Sequence, residues 1–472
     1  MRKKTYAALL AAVTAVSFTA GCGGKTAEAP VSPEGNEAGT ELSAEDAEDA
    51  AKDSVVVVMG VNSEPESGFD PAYGWGAGEH VHEPLIQSTL TVTKTDLSID
   101  YDLATNMQAS EDGLTWTVTI REDVSFTDGE PLTAEDVAFT YNTVKESSSV
   151  NDFTMLKEAV ATDEKTVEFH MERPYSIWPY TMAIVGIVPE HAYGPAYGEN
   201  PVGSGRYIMK QWDKGQQIIF EANPDYYGEA PKMKKVTVLF MDEDAAYAAS
   251  MAGQADLAYT AASYSDQTIN GYQLLSFESV DNRGFNLPAA PASTDARGNA
   301  VGNDLTADVR VRRAINIGID REEMIGNVLN GYGTAAYSVC DKMPWYNDVA
   351  QVDYDPEGAA ALLDEAGWLA GSDGIRERDG VRAELNILYP SSDSVRQALA
   401  ATSLEASNDL WKKAQWDGET GITQEGDIPW IWLCNIDHLY WAREDLHVAD
   451  QKLHPHGHGW SIVNNVDQWY WE

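Results

Sequence analysis

Cysteine and basic residues are scarce in this sequence. Three cysteines in 472 residues cannot supply a fold that is built on disulfides. Lysine and arginine together number 32 against 75 aspartate and glutamate residues, which gives a formal net charge of −43. This charge would repel a polyanion, so nucleic acid is excluded as a partner. Direct binding to an anionic lipid surface, without a lipid anchor, is equally disfavoured.

A hydrophobic run long enough to cross a bilayer is also absent. The apolar stretch at residues 6–18 is too short to span a membrane comfortably, and no later stretch qualifies. Basic residues precede this stretch and small residues follow it at 19–21. This order is typical of a secretory signal, which we expect to occupy residues 1–21.

The residue after this signal is Cys22. A cysteine directly after Ala20 and Gly21 resembles a bacterial lipobox, although Thr19 stands where leucine is usual. The resemblance implies cleavage before Cys22 and attachment of a lipid to its sulfur. We therefore expect an extracytoplasmic protein that is anchored to the cell membrane as a lipoprotein; the alternative is an ordinary signal peptide in which Cys22 is incidental.

Residues 22–53 contain nine acidic residues and two lysines but almost no large apolar side chains. Such a segment cannot bury enough surface to offset its conformational entropy. We expect a flexible, acidic linker between the lipid anchor and a folded body. A short surface helix over residues 44–52 is the alternative, and it would leave the tethering role unchanged.

Apolar and aromatic residues are plentiful beyond the linker. Hydrophobic residues make up 43% of the chain and aromatic residues 10%, so global disorder is excluded. The β-branched run at residues 54–60 predicts a buried strand, and period-two alternation at residues 114–121 predicts a half-exposed one. In the block at residues 124–137, Asp128-Gly129 predicts a turn, and Thr133 with Asp136 predicts a helix start.

These stretches and several others occur in the order found in one protein family. The further stretches are residues 69–72, 82–85, 201–207, 223–227, 253–256, 308–321, 354–368 and 429–433. Together they resemble the family 5 bacterial extracellular solute-binding proteins, which are the oligopeptide, dipeptide and nickel receptors of ABC importers.

The resemblance implies an α+β (mixed α/β) fold of the type II periplasmic-binding-protein kind, with two lobes and an additional domain in the first lobe. We expect domain I to comprise residues 54–84, 195–280 and 425–472. Domain II is then residues 85–194 and domain III residues 281–424.

The resemblance also implies a function without chemistry. A monomer would capture its solute between the lobes and deliver it to an ABC permease with its ATPase subunits; no cofactor is expected. Nucleophile-elbow, phosphate-loop and metalloprotease motifs are missing from the sequence, so we expect no enzyme activity. Oligopeptides are the leading cargo and nickel, or a nickel chelate, is the alternative. A degenerate surface lipoprotein without transport activity is a further alternative.

The family pattern breaks near residues 400–402. A strand at residues 384–389 and a helix at residues 395–400 are expected, but Thr402 and Glu405 have the spacing of a second helix start inside that helix. We infer that an internal stretch with at least one strand and its crossover is missing here; a divergent, smaller third domain is the alternative. In dipeptide-type relatives this stretch holds the ligand's amino terminus, so no residue of this chain can be given that role.

Ligand-binding candidates come from segments that face or flank the cleft in the family. Aromatic side chains there would sandwich ligand side chains, with core packing as the alternative. A cation could pair with an anionic ligand group or with one of the chain's many carboxylates. The candidates are Tyr73, Trp75, Tyr175, Trp178, Trp345, Arg283 and Asn286.

Two histidine groups are candidate metal ligands. His80 and His82 lie beside Glu79 and Glu83, and such nitrogen and oxygen donors suit Ni²⁺ or Zn²⁺; a polar loop or a helix start is the alternative. The cluster of His454, His456 and His458 could also bind a transition metal, but a structural loop or an adventitious metal binder is the preferred interpretation.

The last two cysteines form a candidate disulfide. Outside the cytoplasm a bond between Cys340 and Cys434 is permitted, and it would tie the third domain to a returning strand. Their spacing in the sequence does not reveal the geometry that such a bond requires.

Overall fold

The computed structural model describes residues 53–65, 67–73, 84–147, 153–338, 341–343, 346, 350–389, 393–400, 430–451 and 461–472. The α-helices are α1 (Ala134–Glu146), α2 (Trp178–Met182), α3 (Glu243–Met251), α4 (Val309–Ile317), α5 (Arg321–Val328) and α6 (Pro356–Glu365). Residues 394–400 are also helical.

The strands of the first half are β1 (Ser54–Gly60), β2 (Thr91–Thr93), β3 (Ile99–Tyr101), β4 (Ala104–Ala109), β5 (Thr115–Ile120), β6 (Leu156–Asp163), β7 (Thr166–Met171), β8 (Tyr207–Asp213), β9 (Gln217–Ala222) and β10 (Lys235–Met241). Those of the second half are β11 (Leu257–Thr260), β12 (Tyr272–Phe277), β13 (Asn282–Asn286), β14 (Ser293–Thr294), β15 (Ala300–Val301), β16 (Gly333–Ala335), β17 (Leu369–Ala370), β18 (Arg376–Arg378), β19 (Val381–Arg382), β20 (Trp430–Ile436), β21 (His438–Arg443), β22 (Leu446–His447) and β23 (Tyr470–Trp471).

A mixed sheet of seven strands is formed by segments that are far apart in the sequence. Its order is β12-β21-β11-β1-β10-β9-β8, and β1 lies parallel to both of its neighbours. Because β1 is central, Val55 and Val57 are fully covered, and they pack in one cluster with Val466 and Trp469 from the other end of the sequence. The predicted buried strand at residues 54–60 is confirmed.

The second body is an antiparallel sheet of order β4-β5-β7-β6 packed against α1. The Asp136 carboxylate accepts a hydrogen bond from the Thr133 backbone N–H at 2.9 Å, which caps α1 as the sequence predicts. Gly129 has φ +96°, a value that favours glycine, at the predicted turn before the helix. The alternating strand at residues 114–121 is confirmed as β5.

The third body contains the sheet β13-β20-β16 and helices α4, α5 and α6. Its apolar core includes Ile431 and Leu433 of β20. This placement differs from the predicted start of the returning segment at residue 425, because β20 still belongs to the third body's sheet and the chain rejoins the seven-stranded sheet only at β21. Pairing with β13 and β16 holds β20 there.

The glycine-rich turn at residues 201–207 brings its backbone into close contact with the backbone at Ile86. A Cβ atom on Gly203 would lie 2.0 Å from the carbonyl oxygen of Ile86, and the Gly205 N–H donates to that oxygen at 2.7 Å. A side chain at this position would force the two segments apart. The motif therefore has a packing role.

In the described part of the chain, no helix combines the length and the apolar character that crossing a membrane requires.

Candidate ligand-binding site and the hinge beside it

Two short crossings join the seven-stranded sheet to the third body. The first is residues 278–281, between β12 and β13, and the second is Asp437, between β20 and β21. The crossings bind each other: the Ile436 N–H donates to the Asp281 carbonyl oxygen at 3.1 Å, and the Ser279 hydroxyl donates to the Ile436 carbonyl oxygen at 2.7 Å. Paired crossings of a few residues are what a hinge between two lobes requires.

A buried ion pair lies at this hinge. The Arg283 guanidinium donates to the Asp281 carboxylate, and the two side chains are only 11% and 7% exposed. The imidazole Nε2 of His438 lies 3.3 Å from the other carboxylate oxygen of Asp281. Burial opposes the charge of Arg283, but the Asp281 carboxylate more than offsets this and raises the pKa of the guanidinium. Of the two sequence hypotheses for Arg283, the structure favours pairing with a carboxylate.

Cys434 of β20 is buried beside this ion pair and forms no disulfide with a described residue. Burial raises the pKa of its thiol to about 12. Its predicted disulfide partner, Cys340, lies outside the described residues.

The Cys434 thiol should not react with Ellman's reagent in the folded protein, because the thiolate is the reactive form and burial suppresses it. After unfolding in urea without reductant, the natural chain should release one equivalent of thiol more than Cys434→Ser. A Cys340–Cys434 disulfide would give the opposite difference, with one thiol more in Cys434→Ser than in the natural chain, because the substitution would leave Cys340 unpaired.

Buried Arg321 fixes the neighbouring helix to the third body's sheet. Its guanidinium donates to the carbonyl oxygens of Trp432 at 2.9 Å and Ala336 at 3.1 Å, and to the Asn316 side chain at 2.6 Å. Desolvation lowers the pKa of Arg321 to about 10, so the residue remains a cation at neutral pH. These bonds give Arg321 a structural role inside the third body.

The described aromatic candidates differ in exposure. Tyr73 is 52% exposed and Tyr175 is half-buried, so both can meet a ligand. Trp178 is fully buried, with ring centroids 5.5 to 5.8 Å from those of Tyr141, Phe153 and Phe169. The structure contradicts the ligand-binding hypothesis for Trp178, since its indole completes an aromatic core.

Asn286 lies at the end of β13 and lines a cavity of about 650 Å³. Helices α4 and α6, the loop before α4, residues 384–388, Arg396 and Trp430 contribute to the other walls. This volume is in the range of small-molecule sites. The predicted binding residue Asn286 is therefore exposed on a real concave surface.

The remaining predicted sites cannot be placed. Among the residues that the structure describes, no group of three or more His, Cys, Asp or Glu side chains could hold a metal ion. The predicted residues outside the described part of the chain are Cys22, Trp75, His80, His82, Cys340, Trp345, His454, His456 and His458.

Sequence reasoning missed Asp281, His438 and Arg396. Asp281 and His438 are 157 residues apart and meet because the strands beside them pair, β12 with β21 and β13 with β20. Arg396 was hidden inside a predicted helix, where a basic residue is ordinarily assigned to the solvent face. Only tertiary structure could have identified these three.

The architecture on both sides of the hinge agrees with known proteins. The profile of the bacterial extracellular solute-binding proteins, family 5 (its middle region), matches residues 98–421. The chain belongs to this family. The family resemblance and the mixed α/β fold expected from the sequence are confirmed.

Curated relatives of this solute-binding protein include receptors for different solutes. It is 36% identical to Protein XP55 of Streptomyces lividans over 74% of this chain and 64% of that protein. It is 27% identical to the oligopeptide-binding protein AppA of Bacillus subtilis, over 74% and 66%, and 27% identical to the nickel-binding periplasmic protein of Escherichia coli, over 68% and 62%. The chain thus spans slightly less than two thirds of the length of these relatives.

Solved structures support the same fold. NikZ from Campylobacter jejuni in complex with Ni(L-His) has a TM-score of 0.73 at 22% identity, covering 89% of this chain and 99% of that one. AppA from Bacillus subtilis in complex with a nonapeptide has a TM-score of 0.68 at 22% identity, with the same coverage. At these identities the likeness establishes the fold and leaves the solute open.

Proposed function

We propose that this protein is the substrate-binding lipoprotein of an ABC importer, anchored outside the cytoplasm through Cys22, which captures oligopeptides between two lobes. The observation that carries the proposal is the hinge of two short, mutually bonded crossings at residues 278–281 and Asp437. Such a hinge lets one lobe close on a solute without breaking either core. Release to a permease then requires only reopening.

Oligopeptide is the preferred cargo because two candidate aromatic side chains remain accessible to a ligand. Tyr73 is exposed and Tyr175 is half-buried, and each has an amphipathic ring with a hydroxyl that can both donate and accept. Main-chain groups of a peptide need such donors and acceptors, while its varied side chains need only loose, apolar surroundings. AppA of Bacillus subtilis, a peptide-binding relative, agrees with this choice.

A nickel chelate is the second candidate. It is favoured by the neighbouring pair His80 and His82 in the sequence and by the likeness to NikZ, which binds Ni(L-His). Imidazole is a suitable ligand for Ni²⁺. A peptide receptor would not need these two side chains, so they separate the two candidates.

Isothermal titration of the full chain in mild detergent tests the proposal. A pool of short peptides should give saturable heat, with little change in His80→Ala or His82→Ala. No heat from peptides, together with Ni–histidine binding that either substitution abolishes, would select the nickel candidate. No response to either solute, and a melting temperature that neither shifts, would contradict a transport role and support a degenerate lipoprotein.

A further inference from the structure

The cavity beside Asn286 lies wholly within the third body. Every described residue of its wall belongs to β13 and the chain directly after it, to the loop between β15 and α4, to α4, α6 or the chain between them, or to residues 384–388, Arg396 and Trp430. The seven-stranded sheet and the second body contribute no described residue to this wall. The cavity is therefore separate from a site between the lobes.

Two backbone segments that border this cavity have an edge without a described partner. Strand β13 pairs only with β20 among the described strands, so its outer edge is open. Residues 384–388 alternate between exposed and half-buried, as a strand does, yet they form no backbone–backbone hydrogen bond with any described residue. Open edges of this kind can accept an added strand.

The groove between these two edges is apolar at its base. The apolar side chains that form it are Leu287, Ala314, Ile315, Ile319, Ala359, Leu363, Leu385 and Ile387. Above it, Leu388 is 93% exposed. Apolar side chains of a bound strand would be shielded from water here.

Several polar groups of the wall lack partners. The carboxamides of Asn286 and Asn386 make no hydrogen bond with a described residue. The buried indole N–H of Trp430, which packs over Gly284, has no acceptor among the described residues. An extended peptide backbone presents N–H and C=O groups in alternation, so it could satisfy all three.

The positive charge of Arg396 indicates that the carboxylate end of a peptide would be bound here. Arg396 donates one N–H to Asp393 at 2.6 Å, and its side chain is 37% exposed at the cavity wall, so other guanidinium N–H groups remain available to a carboxylate. A second copy of this chain is disfavoured as the occupant, because each copy carries a formal charge of −43.

We propose that this groove binds the C-terminal end of a short, apolar peptide as an added strand between β13 and residues 384–388, with Arg396 holding the terminal carboxylate. Each border is five residues long, and a strand rises about 3.3 Å per residue, so about four to five peptide residues fit. The site is independent of capture between the lobes and can exist whether or not the protein serves an importer.

Hydrogen–deuterium exchange of the full chain with three acetylated tetrapeptides tests this. The probes are Ac-Val-Leu-Val-Leu with a free carboxylate, its C-terminal amide, and Ac-Ser-Asn-Ser-Asn with a free carboxylate. The first should slow exchange at residues 284–288 and 384–388. It should bind about tenfold or more tightly than the amide, since a hydrogen bond to a charged group is at stake, and the polar peptide should not protect these segments.

Two arginine variants provide the matched comparison. Arg396→Gln should erase the preference for the free carboxylate while its melting curve stays close to that of the natural chain. Arg297→Gln, an exposed substitution in the same body but away from the cavity, should keep the preference. The proposal is overturned if neither segment is protected, if only segments of the other bodies are protected, if Arg396→Gln leaves the preference intact, or if the same amides are already protected by a stable dimer.

Discussion

Replacing Arg283 with methionine should lower the free energy of unfolding by about 3–5 kcal/mol. The substitution keeps most of the apolar stem but leaves the Asp281 carboxylate, 7% exposed, without its cation. Breaking a buried ion pair from one side is costly because the remaining charge stays desolvated. Urea denaturation monitored by tryptophan fluorescence measures the change.

The double variant Asp281→Asn/Arg283→Met is the control for this prediction. Because it removes both charges, it should recover a large part of the lost stability. A ligand-binding role for Arg283 predicts the opposite pattern: the single variant would melt normally and lose affinity for an anionic solute. That result would contradict the placement of Arg283 inside the hinge.

Replacing Trp178 with alanine should cost about 3–5 kcal/mol of stability, because a fully buried indole leaves a cavity among three aromatic rings. Its N–H has no acceptor among the described residues, so Trp178→Phe, which retains a ring, should cost clearly less. Guanidinium denaturation of both variants measures the two values.

Tyr175→Ala is the comparison for Trp178. Tyr175 is half-buried and packs against the edge of the same core, so its loss should destabilise the protein less than loss of Trp178. If Trp178→Ala unfolds at the same denaturant concentration as the natural chain but no longer binds peptide, the indole belongs to the ligand site and the core assignment is wrong.

Local sequence signals predicted much of the framework. The Thr133 and Asp136 pair acts within one helical turn, and the β-branched run of β1 is read from neighbouring residues alone. Gly367 follows α6 with φ +83°, a left-handed conformation that favours glycine and ends a helix. This cause involves only the backbone of Gly367 itself. Such features are predictable because their physical cause is local.

The site was less predictable because its causes are not local. An exposed and a buried aromatic look alike in sequence, so Trp178 and Tyr175 could not be told apart before their neighbours were known. Asp281 and His438 meet through strand pairing across 157 positions. Residues 384–388 alternate in burial as a strand does, but the strand predicted over residues 384–389 is not formed among the described residues, because strand pairing is a tertiary property.

The predicted deletion near residues 400–402 stays a prediction, because residues 401–429 lie outside the described chain. Residues 384–388 form no backbone–backbone hydrogen bond with a described residue, and they line the same cavity as β13. This cavity is the basis of the proposed second peptide site.

Capture of a solute is the central claim, and native mass spectrometry of the protein purified from its own host tests it most directly. We expect a population heavier than the lipidated chain by the mass of one or more short peptides, or of a nickel chelate if the second candidate is correct. The additional mass should disappear on denaturation. A spectrum that shows only the bare lipoprotein, combined with a melting temperature that neither peptides nor nickel chelates shift, would contradict the claim.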